Sequence, residues 1–282
     1  MRNDPADRIV AVYWDFENIH ASLVERESGP NTYLRQRFQR QESLVNIKAV
    51  MDYARTIGVV AINRAYANWQ WLDRYRDDLN EYGLDLIQQF SRGMKNGADI
   101  RLALDVLEDL HHFRHLTHII VVGGDSDYIS LAQKVKQAGH TIIGVGVRET
   151  VNQFWVQCCN EFKFYQTLLT TAGSPLNAPA PENVDRLSLS DVRALLLRAL
   201  QQLSAQRGDS IILRSALKAF MLRLDPSFDE ATLGFPSFSL FLDAFPDMVQ
   251  NVNNDSGGSV RLIQPASNGN GISLGPVLST AN

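Results

Sequence analysis

The chain has 282 residues, of which 45% are hydrophobic and 21% charged, an ordinary composition for a soluble protein with one large domain or two moderate ones. Its formal net charge of −4 excludes a global basic field, so binding to nucleic acid must depend on local patches. The two cysteines, Cys158 and Cys159, are adjacent, which suits neither a disulfide framework nor a zinc site. The N-terminus lacks an apolar signal region, and no run approaches the length of a membrane span. We therefore predict a cytoplasmic protein without a membrane partner.

Short apolar runs typical of strands alternate with helical patterns through the first part of the chain. The predicted strands are Ile9–Trp14, Val59–Tyr66, Leu84–Gln89, Ile119–Val122 and Thr141–Val147. The predicted helices are Leu44–Ile57, Ala67–Tyr82, Ala98–Leu110, Tyr128–Ala138 and Thr150–Glu161, the last with Phe154 and Trp155 as core anchors. This alternation predicts an α/β fold with a doubly wound parallel sheet. If the strand order is 3-2-1-4-5, the first and fourth strands are neighbours.

Aspartates directly follow the first and fourth predicted strands. Asp15 ends the first strand, and Asp125 and Asp127 follow the run IIVVGG at the exit of the fourth. Because ligands bind beyond the carboxyl ends of the strands in such sheets, we expect these carboxylates to share one crevice. Carboxylates this close are costly unless a positive charge lies between them. Capping of the next helix is an alternative for Asp127 but does not explain Asp125. Asn18 is spaced to turn its amide toward Asp15, or to cap a helix.

The predicted helix Ala98–Leu110 separates two further aspartates by helical geometry. Asp105 falls on a polar stripe that also includes Glu108, Asp109 and His112, and it can pair there with Arg101. Asp99 aligns instead with the apolar arc that we expect to pack on the sheet, so it can point over the strand ends. That predicted arc consists of Ile100, Ala103, Leu104, Val106, Leu107 and Leu110.

Three segments carry side chains suited to a nucleic acid. Residues 26–42 are rich in arginine and glutamine, which is typical of a solvated loop or short helix, with a phosphate-facing loop as the alternative. Arg92 and Lys95 lie in a predicted loop and can meet a phosphate backbone. The predicted helix Ala67–Tyr82 interleaves aromatic and basic residues, a pattern that can clamp nucleotides, although such tryptophans are more often partly core. Its residues of this kind are Trp69, Trp71, Arg74 and Arg76.

The four aspartates offer oxygen ligands only, with no histidine or cysteine close to them in the chain. Such a set suits the hard octahedral cations Mg²⁺ or Mn²⁺ and not zinc. One or two such cations can activate water for an in-line phosphoryl displacement, so we predict phosphodiester hydrolysis. A P-loop hydrolase is disfavoured because the sequence has no Gly-rich phosphate cradle. An aspartyl phosphatase is disfavoured because Asp15-Phe16-Glu17 lacks the second aspartate of such enzymes.

The composition changes in the last third of the chain. Thr170–Asp185 has three prolines and many small residues, which predicts a linker. Beyond it we predict helices at Ser190–Leu203, Ile211–Leu224 and Ser237–Ala244, and a hairpin of Met248–Val252 with Ser259–Ile263. These elements form a small helical domain with a two-stranded wing. The residues from Pro265 onward are predicted to be disordered.

Three motifs, in this order, resemble the NYN domain family, the LabA-like group within the PIN-like nuclease fold. They are Asp15-Phe16-Glu17-Asn18, Lys95-Asn96-Gly97-Ala98-Asp99 with Asp105, and Gly124-Asp125-Ser126-Asp127-Tyr128. The resemblance covers residues 7–168 and implies a metal-dependent ribonuclease with an acidic cluster of Asp15, Asp99, Asp125 and Asp127. It places Asn18 beside the cluster and makes Asp105 a secondary candidate. The sequence departs from the family pattern at Gly123, where serine is common, at Tyr128, where phenylalanine is common, and in the long segment 26–42.

Residues 186–264 resemble the OST-HTH (LOTUS) winged-helix domain, through Gly234-Phe235-Pro236-Ser237-Phe238 and the following Phe241-Leu242. Such domains are linked to RNA binding or to protein contacts, so RNA is the predicted partner and a protein bound to this domain is the alternative. The predicted domains are residues 1–169 for the NYN domain and 186–264 for the winged helix, with a linker at 170–185 and a tail at 265–282. The oligomeric state stays open, with a homodimer as one option.

The leading hypothesis is a metal-dependent ribonuclease with an RNA-recruiting module. The alternative is a non-catalytic RNA-binding or regulatory adaptor that keeps a metal-binding acidic pocket. The net charge favours the adaptor, because strong RNA binding usually requires a basic face. A DNA nuclease or a phosphatase is a third class, which differs in its substrate.

Overall fold

The structure is a computed structural model, and it describes residues 7–90, 97–173, 189–207, 211–252 and 258–263. The first part of the chain forms a six-stranded sheet with the strand order β3-β2-β1-β4-β5-β6, and all its neighbouring strands are parallel. Its strands are β1 Ile9–Asp15, β2 Val59–Ala67, β3 Asp85–Gln88, β4 His118–Val122, β5 Thr141–Gly146 and β6 Glu161–Phe164. This confirms the predicted α/β fold and the predicted order of its first five strands. The sixth strand was not predicted.

Helices cover both faces of this sheet. Those of the first part are α1 Phe16–Ser28, α2 Thr32–Gln36, α3 Ile47–Ile57, α4 Arg76–Glu81, α5 Gly97–His112, α6 Tyr128–Gln137, α7 Gln153–Cys158 and α8 Tyr165–Gly173. A short 3-10 helix spans Asp73–Tyr75. Asparagines cap two of these helices: the side chain of Asn46 accepts from the Ala49 amide, and that of Asn152 accepts from the amides of Phe154 and Trp155.

The alternation of side chains along β1 divides the interior into two layers. Val10, Val12 and Trp14 pack with α1 and α3 on one face of the sheet. Ala11 and Tyr13 pack with α5, α6 and α7 on the other face. Both faces of the strand are fully buried, which explains why its sequence is a nearly continuous apolar run rather than an alternating one.

Four details of the first part differ from the sequence-based predictions. The predicted helix Ala67–Tyr82 is helical only from Asp73 onward. Phe154, a predicted core anchor, has 70% of its surface exposed, whereas Trp155 is fully buried as predicted. The predicted helix Thr150–Glu161 spans only Gln153–Cys158, because Glu161 begins strand β6.

The fourth difference is the buried face of α5. Ile100, Leu104 and Leu107 of the predicted apolar arc are exposed, whereas Asp105 and Asp109 of the predicted polar stripe are buried. The sheet beneath α5 supplies the reason, since Tyr66 donates to Asp105, and Tyr13 and Arg64 donate to Asp109. A carboxylate can be buried when it accepts hydrogen bonds of this kind. The hydrophobic pattern of the sequence cannot show such partners and therefore assigns these positions to the solvent side.

The last part of the chain has a core of its own, with Leu196, Leu217, Phe241 and Val260 among its buried residues. Its helices are α9 Leu189–Arg207, α10 Arg214–Leu224 and α11 Phe238–Asp243, with a 3-10 helix at Glu230–Leu233. Strands β7 Ile211–Leu213, β8 Val249–Val252 and β9 Ser259–Leu262 form an antiparallel sheet in the order β7-β9-β8. The predicted hairpin is confirmed, whereas Ile211–Leu213 of the predicted second helix are a strand. The predicted tail lies outside the described residues. The predicted linker also lies outside them, except for its first residues, which belong to α8.

Direct contacts join the two parts at the outer edge of β6. The Phe162 amide donates to the carbonyl of Pro226 at 2.8 Å. Lys163 lies between Glu161, at 3.3 Å, and Asp229, at 2.8 Å, and its side chain is only 16% exposed. Among the helices that the structure describes, none is long and apolar enough to cross a membrane.

Candidate acidic site at the carboxyl edge of the sheet

Asp15 stands at the carboxyl end of β1, where it also begins α1. In register, Asp15 pairs with Tyr66 of β2, and Trp14 pairs with Val122, the last residue of β4. The Asp15 Oδ1 atom accepts from the backbone amide of Asn18 at 3.1 Å, so this carboxylate caps the helix. Asp15 is only 4% exposed and therefore lies behind the surface of the crevice.

The Asn18 side chain ties α1 to the exit of β4. Its Oδ1 atom accepts from the Gly124 amide at 2.9 Å, whereas we expected the side chain to turn toward Asp15 or to cap a helix. A β-carbon at the neighbouring Gly123 would lie 3.1 Å from the Tyr128 ring and 3.3 Å from the Asp15 Cβ. The glycine at 123, one of the departures from the family pattern, thus leaves room for the close packing of Tyr128 and Asp15.

Asp99, Asp125 and Asp127 come together at the surface of this crevice. One carboxylate oxygen from each lies within 4.8 Å of the other two. Asp99 lies in the first turn of α5 and is half-buried, whereas Asp127 precedes α6 and is exposed. The backbone of Asp127 is helical, with φ −65° and ψ −20°, unlike the extended conformation of a typical capping residue. The aspartates of two separate segments therefore face one small volume.

Tyr128 connects this surface cluster to the buried Asp15. Its hydroxyl lies 2.6 Å from Asp15 Oδ2 and 2.8 Å from Asp99 Oδ1, and its ring is fully buried. A single hydroxyl proton thus faces two carboxylates, and it can be donated to only one of them at a time. Sequence reasoning noted the tyrosine only as a departure from the family, although a hydroxyl beside a strand-exit aspartate was the available signal.

Burial and neighbouring charges raise the pKa of two carboxylates, Asp15 and Asp127. Burial, followed by the charge of Asp99, holds the pKa of Asp15 well above its usual range. Desolvation and the charges of Asp125 and Asp99 also raise the pKa of Asp127. Burial and the same negative surroundings raise the pKa of Tyr128, so its hydroxyl stays protonated and acts as a donor. The site carries an excess of negative charge that a cation would neutralise.

The other predicted site residues lie elsewhere. Asp105 is buried beneath α5, where it accepts from the Tyr66 hydroxyl at 2.8 Å and from Arg101 Nε at 2.8 Å. It therefore has two partners of its own and does not belong to the group formed by Asp99, Asp125 and Asp127. Arg92 and Lys95 lie outside the described residues.

These features define a class of protein: a PIN-like α/β fold with an all-oxygen acidic site beyond the strand ends. Residues 9–166 match the sequence model of the NYN domain, and the chain belongs to the NYN domain family. Residues 188–261 match the model of the OST-HTH/LOTUS domain.

The chain is also similar to a solved structure. The crystal structure of a protein of unknown function from Vibrio parahaemolyticus is 20% identical to this chain, with a TM-score of 0.45. The match covers 58% of this chain and 96% of that one. A search of curated proteins gave no match.

Proposed function

We propose that the protein is a metal-dependent ribonuclease that hydrolyses RNA phosphodiester bonds at the acidic crevice. The observation that carries this proposal is the convergence of Asp99, Asp125 and Asp127, whose carboxylate oxygens lie within 4.8 Å of one another. The NYN domain belongs to a superfamily of nucleases, and the fold places this cluster where open α/β sheets bind their ligands.

The residues present suit a hard divalent cation. Their donors are carboxylate oxygens, which Mg²⁺ and Mn²⁺ prefer, and their like charges lie close together, an arrangement that a cation between them would stabilise. Asp99, Asp125 and Asp127 would hold the cation directly, with Asp15 as the fourth acid behind them. When bound, such a cation supplies Lewis-acid stabilisation of a transferring phosphoryl group and lowers the pKa of a water.

The remaining residues act by orientation. Tyr128 fixes Asp99 Oδ1, which leaves the other oxygen of Asp99 available to a ligand. Asp15 accepts from the Asn18 amide with one oxygen, and its other oxygen lies next to the Tyr128 hydroxyl, so Asp15 holds both neighbours in place. Arg92 and Lys95, near the start of α5, are the proposed contacts to the phosphate backbone.

RNA is the proposed substrate because of the second domain. OST-HTH/LOTUS domains bind RNA, and this one is linked in the same chain to the proposed nuclease. Contacts of Phe162 with Pro226 and of Lys163 with Asp229 hold the two parts against each other. An RNA bound by one part would therefore be kept at high local concentration near the other.

The test is cleavage of end-labelled single-stranded RNA in Mn²⁺ or Mg²⁺. We expect wild type to cleave, chelator to abolish cleavage, and Asp125→Asn to reduce the rate by about 100-fold or more. Asp52→Asn is the matched control, since Asp52 pairs with Lys48 on the exposed side of α3, and we expect it to cleave like wild type. RNA that is bound but never cut would show that the protein is an adaptor. Cutting that persists in chelator would contradict the role of the metal.

A further inference from the structure

A second pocket opens beside the acidic crevice, and nothing in the proposed catalytic step uses it. Its lining includes Glu17, Arg37, Phe38, Asn68 and Trp71. The pocket is shallow and opens to solvent. The lining combines aromatic rings, a cation, an amide and a carboxylate, which is the mixture of groups that binds nucleobases rather than lipids or apolar ligands.

The fold places this pocket and the acidic crevice at the same edge of the sheet. Glu17 follows Asp15 by two residues, in the first turn of α1. Asn68 follows Ala67, the last residue of β2. Since β1 lies between β2 and β4, the pocket lies on one side of the β1 exit and the Asp125 cluster on the other. Adjacent strands are about 4.8 Å apart, so the two sites are neighbours.

An electrostatic effect supports this proximity. Burial and then the charge of Glu17 raise the pKa of the Tyr33 hydroxyl, and the charge of Asp15 adds a smaller increase in the same direction. Tyr33 lines the pocket, so the charge of Asp15, behind the acidic crevice, is felt within the pocket.

The pocket has groups for stacking and groups for hydrogen bonding. Phe38 is 57% exposed, and Trp71 is partly exposed beside it. The Arg37 guanidinium lies 4.7 Å from the centre of the Phe38 ring, which orders that ring by a cation–π contact. An exposed phenylalanine held in place at a pocket offers a platform on which a base can stack.

Glu17 is fixed in orientation at the pocket wall. Its Oε1 atom accepts from the Tyr33 hydroxyl at 2.9 Å, which leaves Oε2 and the second lone pair of Oε1 available to a ligand. A carboxylate accepts two parallel hydrogen bonds from a group with adjacent N–H donors. Among the RNA bases, guanine presents such a pair on its Watson–Crick edge, namely N1–H and the exocyclic amine.

The arginines of segment 26–42 differ in whether they are free to contact a phosphate. Arg26 pairs with Glu149 and Arg40 with Asp73. Arg37 is exposed beside the pocket, where its side chain stacks on Phe38. Arg37 is therefore the arginine of this segment that is best placed to meet a phosphate next to a stacked base.

We propose that this pocket binds one base of a single-stranded RNA, with guanine preferred through Glu17, while the neighbouring phosphate lies at the acidic crevice. The proposal rests on the proposed ribonuclease function and adds a specificity site to it. It assigns a role to segment 26–42, where the sequence departs from the family pattern, and to Trp71.

The test is equilibrium binding of the full chain, in chelator, to labelled RNA hexamers. One hexamer is all uridine, and three others carry a single G, A or C at the same position. Chelator prevents cutting, and the repulsion by metal-free aspartates is common to all the RNAs compared. We expect wild type to prefer the G-containing hexamer by about 10-fold, the discrimination that a good bidentate contact gives.

Two variants address the two kinds of contact. Glu17→Gln keeps an acceptor for Tyr33 and should remove the guanine preference with little change for the uridine hexamer. Phe38→Ala should weaken binding of all the hexamers by roughly 5- to 100-fold, because stacking does not depend on base identity. The matched controls are Glu27→Gln at the end of α1, and Phe113→Ala before β4, at the opposite edge of the sheet, where Phe113 is 39% exposed.

The outcomes separate this proposal from the nuclease. If wild type cleaves RNA but both variants bind every hexamer as wild type does, the proposed base-binding role of the pocket is contradicted and the proposed nuclease activity is supported. If the variants show the expected losses while wild type never cleaves, the base-binding role of the pocket is supported and the proposed nuclease activity is contradicted. Equal losses in Phe113→Ala, or no base preference in wild type, would overturn the proposal.

Discussion

At the scale of single residues, the site is governed by one hydroxyl proton shared between two carboxylates. Tyr128 lies within hydrogen-bond distance of both Asp15 and Asp99, yet it can satisfy only one of them. The other carboxylate is then left without this donor beside a like charge. The arrangement is therefore costly without a cation, and substitutions that remove the conflict should stabilise the metal-free protein.

We expect Asp15→Asn to raise the melting temperature in chelator at pH 7. The asparagine oxygen can still accept from the Asn18 amide, and its amide group can donate to the Tyr128 oxygen, whose proton then goes to Asp99. The increase should be roughly 2–4 °C for each kcal/mol regained. Asp109→Asn is the contrast, because Asp109 is paired with Arg64 and its neutralisation should lower the melting temperature.

The pH dependence follows from the sign of the Asp15 shift. Its pKa is raised in the folded state, so the stability that the protonated group contributes is present below the unfolded pKa and is lost as the pH rises through the folded pKa. The advantage of Asp15→Asn should therefore shrink as the pH falls toward 4. An advantage that grows on acidification would contradict this account.

Tyr128→Phe should weaken Mn²⁺ binding, measured by calorimetry, by roughly 10- to 100-fold, because Asp99 loses the hydroxyl that orients it. Tyr66→Phe is the matched control, since it removes a buried hydroxyl bonded to Asp105 at a similar 2.8 Å. Both variants should lower the melting temperature, but only Tyr128→Phe should change the affinity for metal. A loss of affinity in Tyr66→Phe would bring Asp105 into the site.

Asp15 and Asp125 could be predicted as site residues from the sequence, because each follows an apolar run that marks the end of a buried strand. The sequence offered a hydroxyl next to a strand-exit aspartate, but not its two partners, because these depend on how the start of α6 and of α5 is placed against the end of β1. The same limit explains why Asp109 was assigned to solvent. Whether a carboxylate is buried depends on partners from distant strands, here Tyr13 and Arg64.

At the scale of elements, the close approach of β5 and β6 depends on a glycine. A β-carbon at Gly144 would lie 2.4 Å from the Phe162 ring and 2.9 Å from Cys159 Sγ. These side chains belong to the layer that also holds Trp155, so they cannot move freely. The space for Phe162 is created by the missing side chain on the neighbouring strand.

Gly144→Ala should therefore destabilise the protein by about 1–3 kcal/mol, the usual cost of overpacking a core. Denaturant unfolding measures this change. The double variant Gly144→Ala with Phe162→Leu should recover part of the loss, since a smaller side chain gives room to the new methyl group. Additive losses in the double variant would mean that Phe162 is not the source of the clash.

Strand β6 shows where pattern reasoning stops. Its sequence, Glu161–Phe164, alternates polar and apolar residues, with Phe162 and Phe164 buried and Glu161 and Lys163 partly exposed. Four residues give too little periodicity to separate this pattern from the end of a helix. The central strands were predictable because they are buried on both faces.

At the scale of the whole molecule, Lys163 is a principal contact between the two parts. It is enclosed by Glu161 and Asp229, whose charges keep the pKa of this lysine raised although burial lowers it. Without the lysine, two carboxylates would face each other across the contact. The association of the parts should then weaken.

We expect Lys163→Met to accelerate hydrogen exchange at the Phe162 amide, which donates to Pro226, by about 10-fold or more. The amide of Ile120, in the central strand β4, serves as the internal reference. Lys48→Met, which breaks an exposed pair with Asp52, should leave the Phe162 amide unchanged. Unchanged exchange in Lys163→Met would show that the contact does not depend on this ion pair.

The bond between Phe162 and Pro226 also bears on solubility. Strand β6 is the last in its sheet, and an uncovered edge of this kind offers its amides to the edge of another molecule. Pro226 occupies one of these amides, and as a proline it has no backbone N–H with which to continue a ladder of strands. The C-terminal part thereby protects this edge of the sheet from edge-to-edge aggregation. This protection would be lost if the two parts were produced separately.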